Sequence, residues 1–290
     1  MRDRLALFVN PAAAGGRGAR TLPLMRDELD RLRARYRVMD TRSLDDAREQ
    51  ALAVAADGHT VVAVGGDGLV GCLAGALINT DRALGIVPAG RGNDFARVLD
   101  IPRDPVQATR LVAHGEERLL DVGAVDGKPF VGIASVGFDS DANRIANETK
   151  LVKGNLVYAY AGLRTLVQWR DATFDVVVDG ERHSVKGYSV LVANSKAYGG
   201  GMWAVPHAEL DDGRLDVLIV QMHSKLHHLS LFPKSFKGTH VDDPSMRWLS
   251  GSVVELSADR PFTVYADGDP IAELPASVTV SKQALRVIAP

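Results

Sequence analysis

The sequence predicts an α/β fold, with an N-terminal doubly wound (Rossmann-like) domain over residues 1–120 and a β-rich domain over residues 121–290. Three observations predict it. The first part alternates short apolar runs with helical patterns, as in a parallel sheet covered by helices. Glycine-rich loops follow three of those runs. Beyond about Leu120, short β-rich segments separated by Asp-Gly turns indicate antiparallel hairpins.

The N-terminal elements follow one another as strand, loop and helix. Apolar residues recur at helical spacing from Leu22 onward and predict a helix over Leu22–Tyr36. Ser43 followed by Asp46 resembles a capping box and predicts that the next helix starts there and runs through Ala56. The predicted strands are Leu5–Val9, Arg37–Asp40, Val61–Val64 and Leu84–Val87, and a third helix ends near Ile78.

The C-terminal elements are mostly strands. The apolar runs occur in FDVVVDGERHSV, YSVLVANS, RLDVLIV, SVVELSA, PFTVYADGDP and SVTV. Two stretches have helical spacing instead, Leu151–Trp169 and about Lys225–Phe236. No spacer separates the two domains, so the predicted boundary near residue 120 is a change of periodicity.

The composition is that of a globular chain with a substantial core. Of 290 residues 46% are apolar, which excludes a disordered chain, and the formal net charge of −2 argues against a broad nucleic-acid surface. Cys72 is the single cysteine, so no intrachain disulfide forms. The apolar run at the N-terminus ends at Val9, and no window reaches the roughly 18 apolar residues of a membrane span. We therefore expect a cytoplasmic protein that touches membranes only transiently and from outside.

Three glycine-rich loops follow strands of the first domain, NPAAAGGRG, GGDG and PAGRGND. Loops after successive parallel strands meet at one edge of the sheet, where ligands bind. Glycines allow close approach of the backbone, and the first N–H groups of a helix attract phosphate oxygens. The sequence therefore predicts a phosphate-binding edge.

Asp67 helps to distinguish the classes of phosphate-binding enzyme. Residues 66–71 match GxGxxG after a strand, so a dinucleotide-binding enzyme is an open alternative. Against it, the next strand ends in Pro88-Ala89-Gly90 rather than in an acid, and Asp67 would repel a pyrophosphate. An acid beside phosphate suits phosphoryl transfer, where it holds Mg²⁺ or accepts a proton. The P-loop pattern GxxxxGK[ST] does not occur, so a kinase of another type is favoured.

Short motifs along nearly the whole chain carry a family resemblance. They are Asn10-Pro11 with Gly15-Gly16, Thr41, Gly65-Gly66-Asp67-Gly68, Pro88-Ala89-Gly90 with Asn93-Asp94, Gly137-Phe138-Asp139, Pro206, Asp212-Gly213, Leu215-Asp216 and Asp267-Gly268-Asp269. In this order they resemble the diacylglycerol kinase catalytic family, which includes sphingosine kinases and soluble bacterial lipid kinases. The resemblance implies an α/β nucleotide domain, a C-terminal antiparallel β-sandwich domain, and an active site in the cleft between them.

The resemblance also implies ATP as cofactor, bound by the first domain. Arg91 replaces the usual threonine of its motif and could reach a phosphate instead. Arg17 is expected to bind phosphate or to pair with a catalytic acid, and Leu69 replaces threonine, as in sphingosine kinases. The remaining expected nucleotide positions are Asn10, Pro11, Ala12, Ala13, Ala14, Thr41, Gly65, Gly66, Asp67, Gly68 and Gly71.

Three acids are implied to act in catalysis, and a fourth in metal binding. Asp269 stands where relatives have the glutamate of DGE, the proposed general base, and Asp121 resembles an acid that supports this base. Asp67 would organise Mg²⁺ or the substrate. A structural Mg²⁺ site is implied at Asp212, with the backbone carbonyls of Glu209 and Arg214 beside it. From the residues alone, this segment and VYADGDP are also compatible with ordinary turns.

The expected partner is a lipid substrate at a membrane surface, with no nucleic acid, and a homodimer stays open. Ser224–Lys237 combines apolar residues on one helical face with lysines, which suits either a membrane surface or a helix packed on the β-rich domain. Tyr158, Tyr160 and Trp169 could line an acyl channel or pack in the core. The function expected is transfer of phosphoryl from ATP to a lipid hydroxyl, first of all diacylglycerol. An NAD kinase-like enzyme and a non-catalytic lipid or nucleotide sensor are the alternatives.

Overall fold

The N-terminal half is a parallel sheet with helices on both faces, as the sequence predicts. The computed structural model describes residues 2, 4–9, 16–149 and 156–290. Strands β1 to β4 pair in parallel in the order β2-β1-β3-β4. The elements are β1 (Arg4–Val9), α1 (Arg17–Arg31), β2 (Arg35–Met39), α2 (Leu44–Ala56), β3 (Thr60–Gly65), α3 (Asp67–Leu77), β4 (Ala83–Pro88), α4 (Asp94–Val98) and α5 (Pro105–His114).

The helices divide between the two faces of this sheet. Because strand–helix–strand crossovers are right-handed, the move from β1 to β2 and back to β3 puts α1 and α2 on opposite faces. Helix α1 packs against α5, and α2 packs against α3. The ends of β1, β2, β3 and β4 therefore open onto one edge between two helical layers.

The first two helices begin and end as local chemistry dictates. Ser43 Oγ accepts the Asp46 N–H at 3.1 Å and starts α2, as predicted, but Asp46 accepts the N–H of Arg42 rather than that of Ser43. Helix α1 lies five residues earlier than the predicted range. It follows Gly16 in the left-handed conformation, and the chain turns at Arg33, with φ of 57°, before β2.

The C-terminal half is mainly antiparallel. Its strand order is β14-β13-β7-β9-β8-β12-β15, with β10 and β11 added to β9, and with β5 and β6 added to β15. The elements are β5 (Glu116–Val125), β6 (Lys128–Phe130), β7 (Ile133–Gly137), α6 (Phe138–Glu148), α7 (Leu156–Gln168), β8 (Ala172–Val178), β9 (Glu181–Ala193), β10 (Leu215–Gln221), α8 (Lys225–Ser235), a 3₁₀ turn (Thr239–Asp242), β11 (Met246–Gly251), β12 (Val253–Ala258), β13 (Thr263–Ala266), β14 (Asp269–Glu273) and β15 (Ala276–Ala289).

Each half has its own hydrophobic core, and the last strand serves both. Val278, near the start of β15, is buried in the core of the C-terminal half, whereas Leu285 is buried in the core of the N-terminal half. The end of β15 pairs in parallel with β4, and most of its length pairs with β5. The C-terminal strand therefore returns to the N-terminal sheet, which the predicted boundary near residue 120 does not include.

Among the described residues, no helix is long and apolar enough to cross a bilayer.

Candidate active site

Two of the glycine-rich loops touch at the carboxyl edge of the parallel sheet. Ala89 N donates to Gly65 O at 2.8 Å, which fixes the loop after β4 beside the loop after β3. A Cβ at Gly90 would overlap the backbone of Gly66, so only glycine permits this contact. Asn93 Oδ1 accepts the Gly90 N–H at 2.8 Å and holds the second loop closed.

Two carboxylates meet across Gly92 at this edge. Asp67, the first residue of α3, accepts the Phe95 N–H at 3.2 Å. A Cβ at Gly92 would lie 2.9 Å from Asp67 Oδ2 and 3.3 Å from Asp94 Oδ2, so the lack of a side chain lets the backbone approach both acids closely. Burial and the charge of Asp67 raise the pKa of Asp94, while the Gly200 N–H at 2.7 Å opposes the rise.

Asp267 brings a third carboxylate to the edge from the other half of the chain. It accepts the N–H groups of Val131 at 2.9 Å and Gly132 at 2.8 Å. Burial raises the pKa of Asp267 to about 6, and the negative charge of Asp67 adds to the rise. A Cβ at Gly71 would lie 3.7 Å from Asp267 Oδ2, so the β13–β14 hairpin faces the first turns of α3. The three acids therefore lie where the two halves of the chain meet.

Asp269 has a different environment from Asp267 because the turn between them separates their side chains. Asp267 and Gly268 have φ of 51° and 95°, and Ala266 pairs with Asp269, as in a two-residue Asp-Gly hairpin turn. Asp269 is exposed and makes no side-chain hydrogen bond with the described part of the chain. The predicted general base is thus exposed to solvent, while Asp267 is bound to the backbone of Val131 and Gly132.

The structure gives Asp121 a structural role. The side chain is 1% exposed; Oδ2 accepts the Gly213 N–H at 2.6 Å and Oδ1 accepts the Gln283 N–H at 2.7 Å. Asn194 donates to the Asp121 carbonyl at 3.0 Å. Both carboxylate oxygens are therefore occupied by backbone amides of two other segments, and the expected support of Asp269 by this side chain is not seen. Its catalytic role stays a prediction.

The predicted metal loop is a turn joined to Asp121 through Gly213. Asp212 Oδ1 accepts the Arg214 N–H at 2.9 Å, and Glu209 forms an ion pair with Lys196 at 3.0 Å. Over residues 2, 4–9, 16–149 and 156–290, no group of three or more His, Cys, Asp or Glu side chains is arranged around a metal position. A site built from the Asp212 carboxylate and the carbonyls of Glu209 and Arg214 would use other ligands, and it stays a prediction.

The predicted nucleotide residues are spread along the same edge. Asn10, Pro11, Ala12, Ala13 and Ala14 lie outside the described residues. Thr41 follows β2 and is half-buried. A Cβ at Gly68 would meet no atom of the described residues within 4 Å, so within that part of the chain the backbone at the start of α3 is unobstructed. Cys72 donates to Leu44 O at 3.1 Å and ties α3 to the start of α2.

The structure describes the surroundings of three further residues predicted to bind the nucleotide, Leu69, Arg17 and Arg91. Leu69 is 6% exposed, and a Cβ at Gly65 would lie 2.9 Å from Leu69 Cδ2, so the leucine side chain belongs to the core rather than to a ligand site. Arg17 donates to Gly90 O at 3.0 Å and does not pair with Asp121. Arg91 is exposed and makes no side-chain hydrogen bond with the described residues.

Sequence reasoning missed the roles of Asp94, Asp139 and Asp267, although all three lie in motifs it identified. Tyr198 donates to Asp139 Oδ1 at 2.9 Å, and burial with the charge of Asp139 raises the pKa of Tyr198 well above its usual range. This pair joins the start of α6 to the segment whose Gly200 N–H binds Asp94. The spacing of acids in the sequence does not predict these contacts, because they join residues that are far apart along the chain.

The lipid side is partly outside the described residues. Residues 150–155 and the side chain of Tyr158 are not described. Trp169 is buried and stacks on Tyr188 and Phe262 at 5.7 and 6.0 Å between ring centroids, so it belongs to the core. Within α8 only Leu231 is buried, whereas the apolar face predicted from the sequence is exposed.

Comparisons with known proteins agree with this architecture. The family model for the diacylglycerol kinase catalytic domain matches residues 4–125, and that for the YegS C-terminal NAD kinase beta sandwich-like domain matches residues 132–289. A diacylglycerol kinase of Mycobacterium tuberculosis is 36% identical over 84% of this chain and 82% of its own length. One from Bacillus subtilis is 26% identical over 79% and 77%. The crystal structure of a diacylglycerol kinase from Bacillus anthracis superposes with a TM-score of 0.79 at 20% identity, covering 100% of this chain and 97% of the other.

Proposed function

The chain belongs to the diacylglycerol kinase family and is a lipid kinase; from this premise we propose that it transfers the γ-phosphoryl group of ATP, with Mg²⁺, to a lipid hydroxyl. Diacylglycerol is the first candidate acceptor, and phosphatidic acid is then the product. The observation that carries the proposal is the convergence of Asp67, Asp94 and Asp267 beside the glycine-rich loops. The family favours this activity over the NAD kinase-like enzyme and the sensor that the sequence left open.

The acids suit a divalent cation. Asp67 and Asp94 both present carboxylate oxygens beside Gly92, and hard oxygen donors of this kind fit Mg²⁺. When bound there, Mg²⁺ would neutralise charge on the phosphates. The cation would also lower the repulsion that raises the pKa of Asp94.

Binding of ATP would use the backbone more than side chains. At the start of α3, Leu69 N and Val70 N both donate to Gly66 O at 3.1 Å, which leaves the N–H groups of Asp67 and Gly68 without a backbone acceptor among the described residues. They lie at the positive end of the helix dipole. Gly66 and Gly90 keep the two loops in contact, and Gly68 leaves the backbone open. Contacts between these two loops hold this part of the proposed phosphate cradle in place, which lowers the entropy cost of positioning the γ-phosphoryl group.

Deprotonation of the lipid hydroxyl is assigned to Asp269. Its exposed position on the hairpin leaves it accessible to a hydroxyl that enters from the rim of the cleft. Asp267 then acts as a positioning residue, because its bonds to the amides of Val131 and Gly132 fix the hairpin that carries Asp269. If Asp267 is instead the base, its pKa of about 6 makes it suited to accept a proton near neutral pH.

Access to the lipid is assigned to an exposed apolar surface formed by α7 and α8. Lys225 Nζ donates to Val167 O at 3.0 Å and joins the two helices. Phe232 and Phe236 contact each other edge to face at 5.5 Å between centroids. The surface comprises Tyr160, Leu163, Val167, Leu226, Leu229, Phe232 and Phe236, each at least 42% exposed. Large exposed apolar surfaces mark interaction sites, and nearby lysines would favour an anionic membrane.

Transfer of label tests this function directly. The protein is incubated with γ-labelled ATP and Mg²⁺ and offered dispersed diacylglycerol, sphingosine or NAD in separate reactions. Label in phosphatidic acid is expected, and label in NAD alone would contradict the proposal.

Comparison of Asp269→Asn with Asp267→Asn identifies the general base. We expect the larger loss of kcat for Asp269→Asn. The control is Asp259→Asn, which replaces an exposed acid before β13.

A further inference from the structure

A short hairpin of the C-terminal half reaches the carboxyl edge of the parallel sheet. Tyr198 and Met202 form its base, because the N–H of each donates to the carbonyl of the other, at 3.0 and 3.1 Å. The tip is Gly199-Gly200-Gly201, with φ of 69°, 83° and 122°. We call residues 198–202 the glycine hairpin. Its tip donates the Gly200 N–H to Asp94 Oδ2 at 2.7 Å, so an acid of the N-terminal half depends on a contact from the other half.

The tip of the glycine hairpin lies against the ion pair of Asp94 and Arg97. Asp94 is buried, its Oδ1 accepts from Arg97, and its Oδ2 accepts the Gly200 N–H. Arg97 also donates to Gly92 O at 3.1 Å, and a Cβ at Gly201 would lie 3.4 Å from its Nη1. If the hairpin moved away, Arg97 would be the remaining donor to this carboxylate among the described residues. The direction of the Asp94 carboxylate therefore depends on where the tip is held.

Three successive glycines do not fix their own position. Glycine has the largest backbone freedom of any residue and no side chain to pack. Gly199 and Gly200 are exposed, and a Cβ at Gly200 would meet no atom of the described residues within 4 Å. The position of the tip is therefore set at the base of the hairpin, by the residues that flank the glycines.

Tyr198 connects that base to the start of α6. Its hydroxyl donates to Asp139 Oδ1 at 2.9 Å. Asp139 lies in the first turn of α6, where the helix dipole favours a carboxylate, and its own N–H donates to Ser189 Oγ at 3.3 Å. The acceptor of the tyrosine bond is thus held by both α6 and β9. Because burial and the charge of Asp139 raise the pKa of Tyr198 well above its usual range, the hydroxyl stays a donor near neutral pH.

We propose that Tyr198, anchored on Asp139, is a positioning residue for phosphoryl transfer: it holds the Gly200 N–H on Asp94 and so keeps this carboxylate oriented for the divalent cation. The inference rests on the proposed function, which assigns Asp94 to the cation. The contacts of Tyr198 and Asp139 described here are with the protein, and their effect on Asp94 passes through the backbone of Gly200.

Two variants that each lose one tyrosine hydroxyl separate positioning from a general loss of stability. Tyr198→Phe keeps the ring and the backbone bridge to Met202 but removes the bond to Asp139. The matched control is Tyr188→Phe, which removes a 2.9 Å bond to the carbonyl of His223 in the same half of the chain.

Binding of Mn²⁺ without turnover is the main measurement. Oxygen ligands that suit Mg²⁺ also suit Mn²⁺, and electron paramagnetic resonance measures the free Mn²⁺ directly. The full chain is titrated with Mn²⁺ in the presence of a non-hydrolysable ATP analogue and without lipid. Hydrogen exchange of the peptide containing Gly199 to Gly201 is measured on the same preparations, and thermal unfolding verifies that each variant folds.

We expect Tyr198→Phe to bind Mn²⁺ roughly tenfold more weakly than the wild type and to exchange the glycine amides roughly tenfold faster, because a hydrogen bond to a charged acceptor is lost. Tyr188→Phe should stay within about twofold in both measurements. Turnover of Tyr198→Phe should recover toward the wild type as Mg²⁺ is raised, a recovery that a general loss of stability would not give. If Tyr198→Phe does not fold, Asp139→Asn takes its place; it keeps an acceptor for Tyr198, and we expect Mn²⁺ binding to weaken about threefold.

Unchanged Mn²⁺ affinity in Tyr198→Phe overturns the proposal, even if the hairpin amides exchange faster. Equal weakening in Tyr198→Phe and Tyr188→Phe overturns it as well, and so does a wild type that binds no Mn²⁺. Because binding is measured without lipid and without turnover, failure of the kinase proposal is distinguishable: a wild type that labels no lipid would leave the Mn²⁺ result in force.

Discussion

Replacement of Asp121 by asparagine should destabilise the protein without impairing the chemistry of the folded molecules. The wild-type carboxylate is 1% exposed and accepts backbone N–H groups of Gly213 and Gln283 at 2.6 and 2.7 Å. Asparagine keeps one acceptor and turns an NH₂ group toward the other N–H. The loss of one charge-assisted bond and the unpaired amide together cost about 3 kcal/mol. A Tm lowered by roughly 6–12 °C is expected.

Urea denaturation and turnover measured on the same preparations separate a structural from a catalytic role. The matched control is Asp211→Asn, in the loop whose Gly213 donates to Asp121. Asp211 is an exposed acid 3.2 Å from Arg118, and we expect its replacement to change the unfolding free energy by less than about 1 kcal/mol. For Asp121→Asn, kcat per folded molecule should stay within about threefold at a temperature well below its Tm. If Asp121→Asn were as stable as the wild type and its kcat fell a hundredfold, Asp121 would have a catalytic rather than a structural role.

Three further predictions concern Asp67, Asp267 and the apolar surface formed by α7 and α8. Asp67→Asn should lower turnover at least about a hundredfold in the labelling assay while Tm changes little, because its carboxylate makes one hydrogen bond within the described protein. Since the pKa of Asp267 is raised to about 6 from the ordinary 3.8, the folded protein holds an extra proton between these values and loses stability as the pH rises from about 4 to 6. The unfolding free energy of the wild type relative to Asp267→Asn should therefore fall by up to about 3 kcal/mol over that range, and a constant difference would argue against the raised pKa. Leu226→Ser with Phe232→Ser should weaken vesicle binding at least about tenfold, whereas Leu52→Ser, on α2 and about as exposed as Phe232, should not; equal effects would remove α8 from the membrane surface.

Local patterns were sufficient to predict the N-terminal sheet. The central strands β3 and β4 are almost wholly apolar because helices cover both faces. Ser43 marks the start of α2 by a cap that depends on three neighbouring residues. Helix α6 was missed because its range, FDSDANRIANE, is polar at most positions, although its few apolar residues, Phe138, Ala142, Ile145 and Ala146, recur at helical spacing. The start of α1 depends on the left-handed conformation of Gly16, which the sequence does not specify.

The site was less predictable because it depends on contacts between distant segments. Asp67 could be selected from its place between glycines after a strand. The position of Asp267 depends on amides more than a hundred residues earlier, at Val131 and Gly132. The resemblance instead directed attention to Asp269, two residues away on the opposite side of a tight turn. Burial of Asp121 likewise follows from the return of β15 to the N-terminal half, which periodicity does not reveal.

Labelling of a natural lipid mixture tests the central claim most directly. The full chain is incubated with γ-labelled ATP, Mg²⁺ and a total membrane lipid extract, with Asp67→Asn in parallel, and the labelled species are identified by mass. We expect one dominant labelled lipid, phosphatidic acid, that is absent with the variant. Labelling of no lipid by the wild type, or equal labelling by Asp67→Asn, would contradict a lipid kinase whose phosphoryl transfer depends on Asp67.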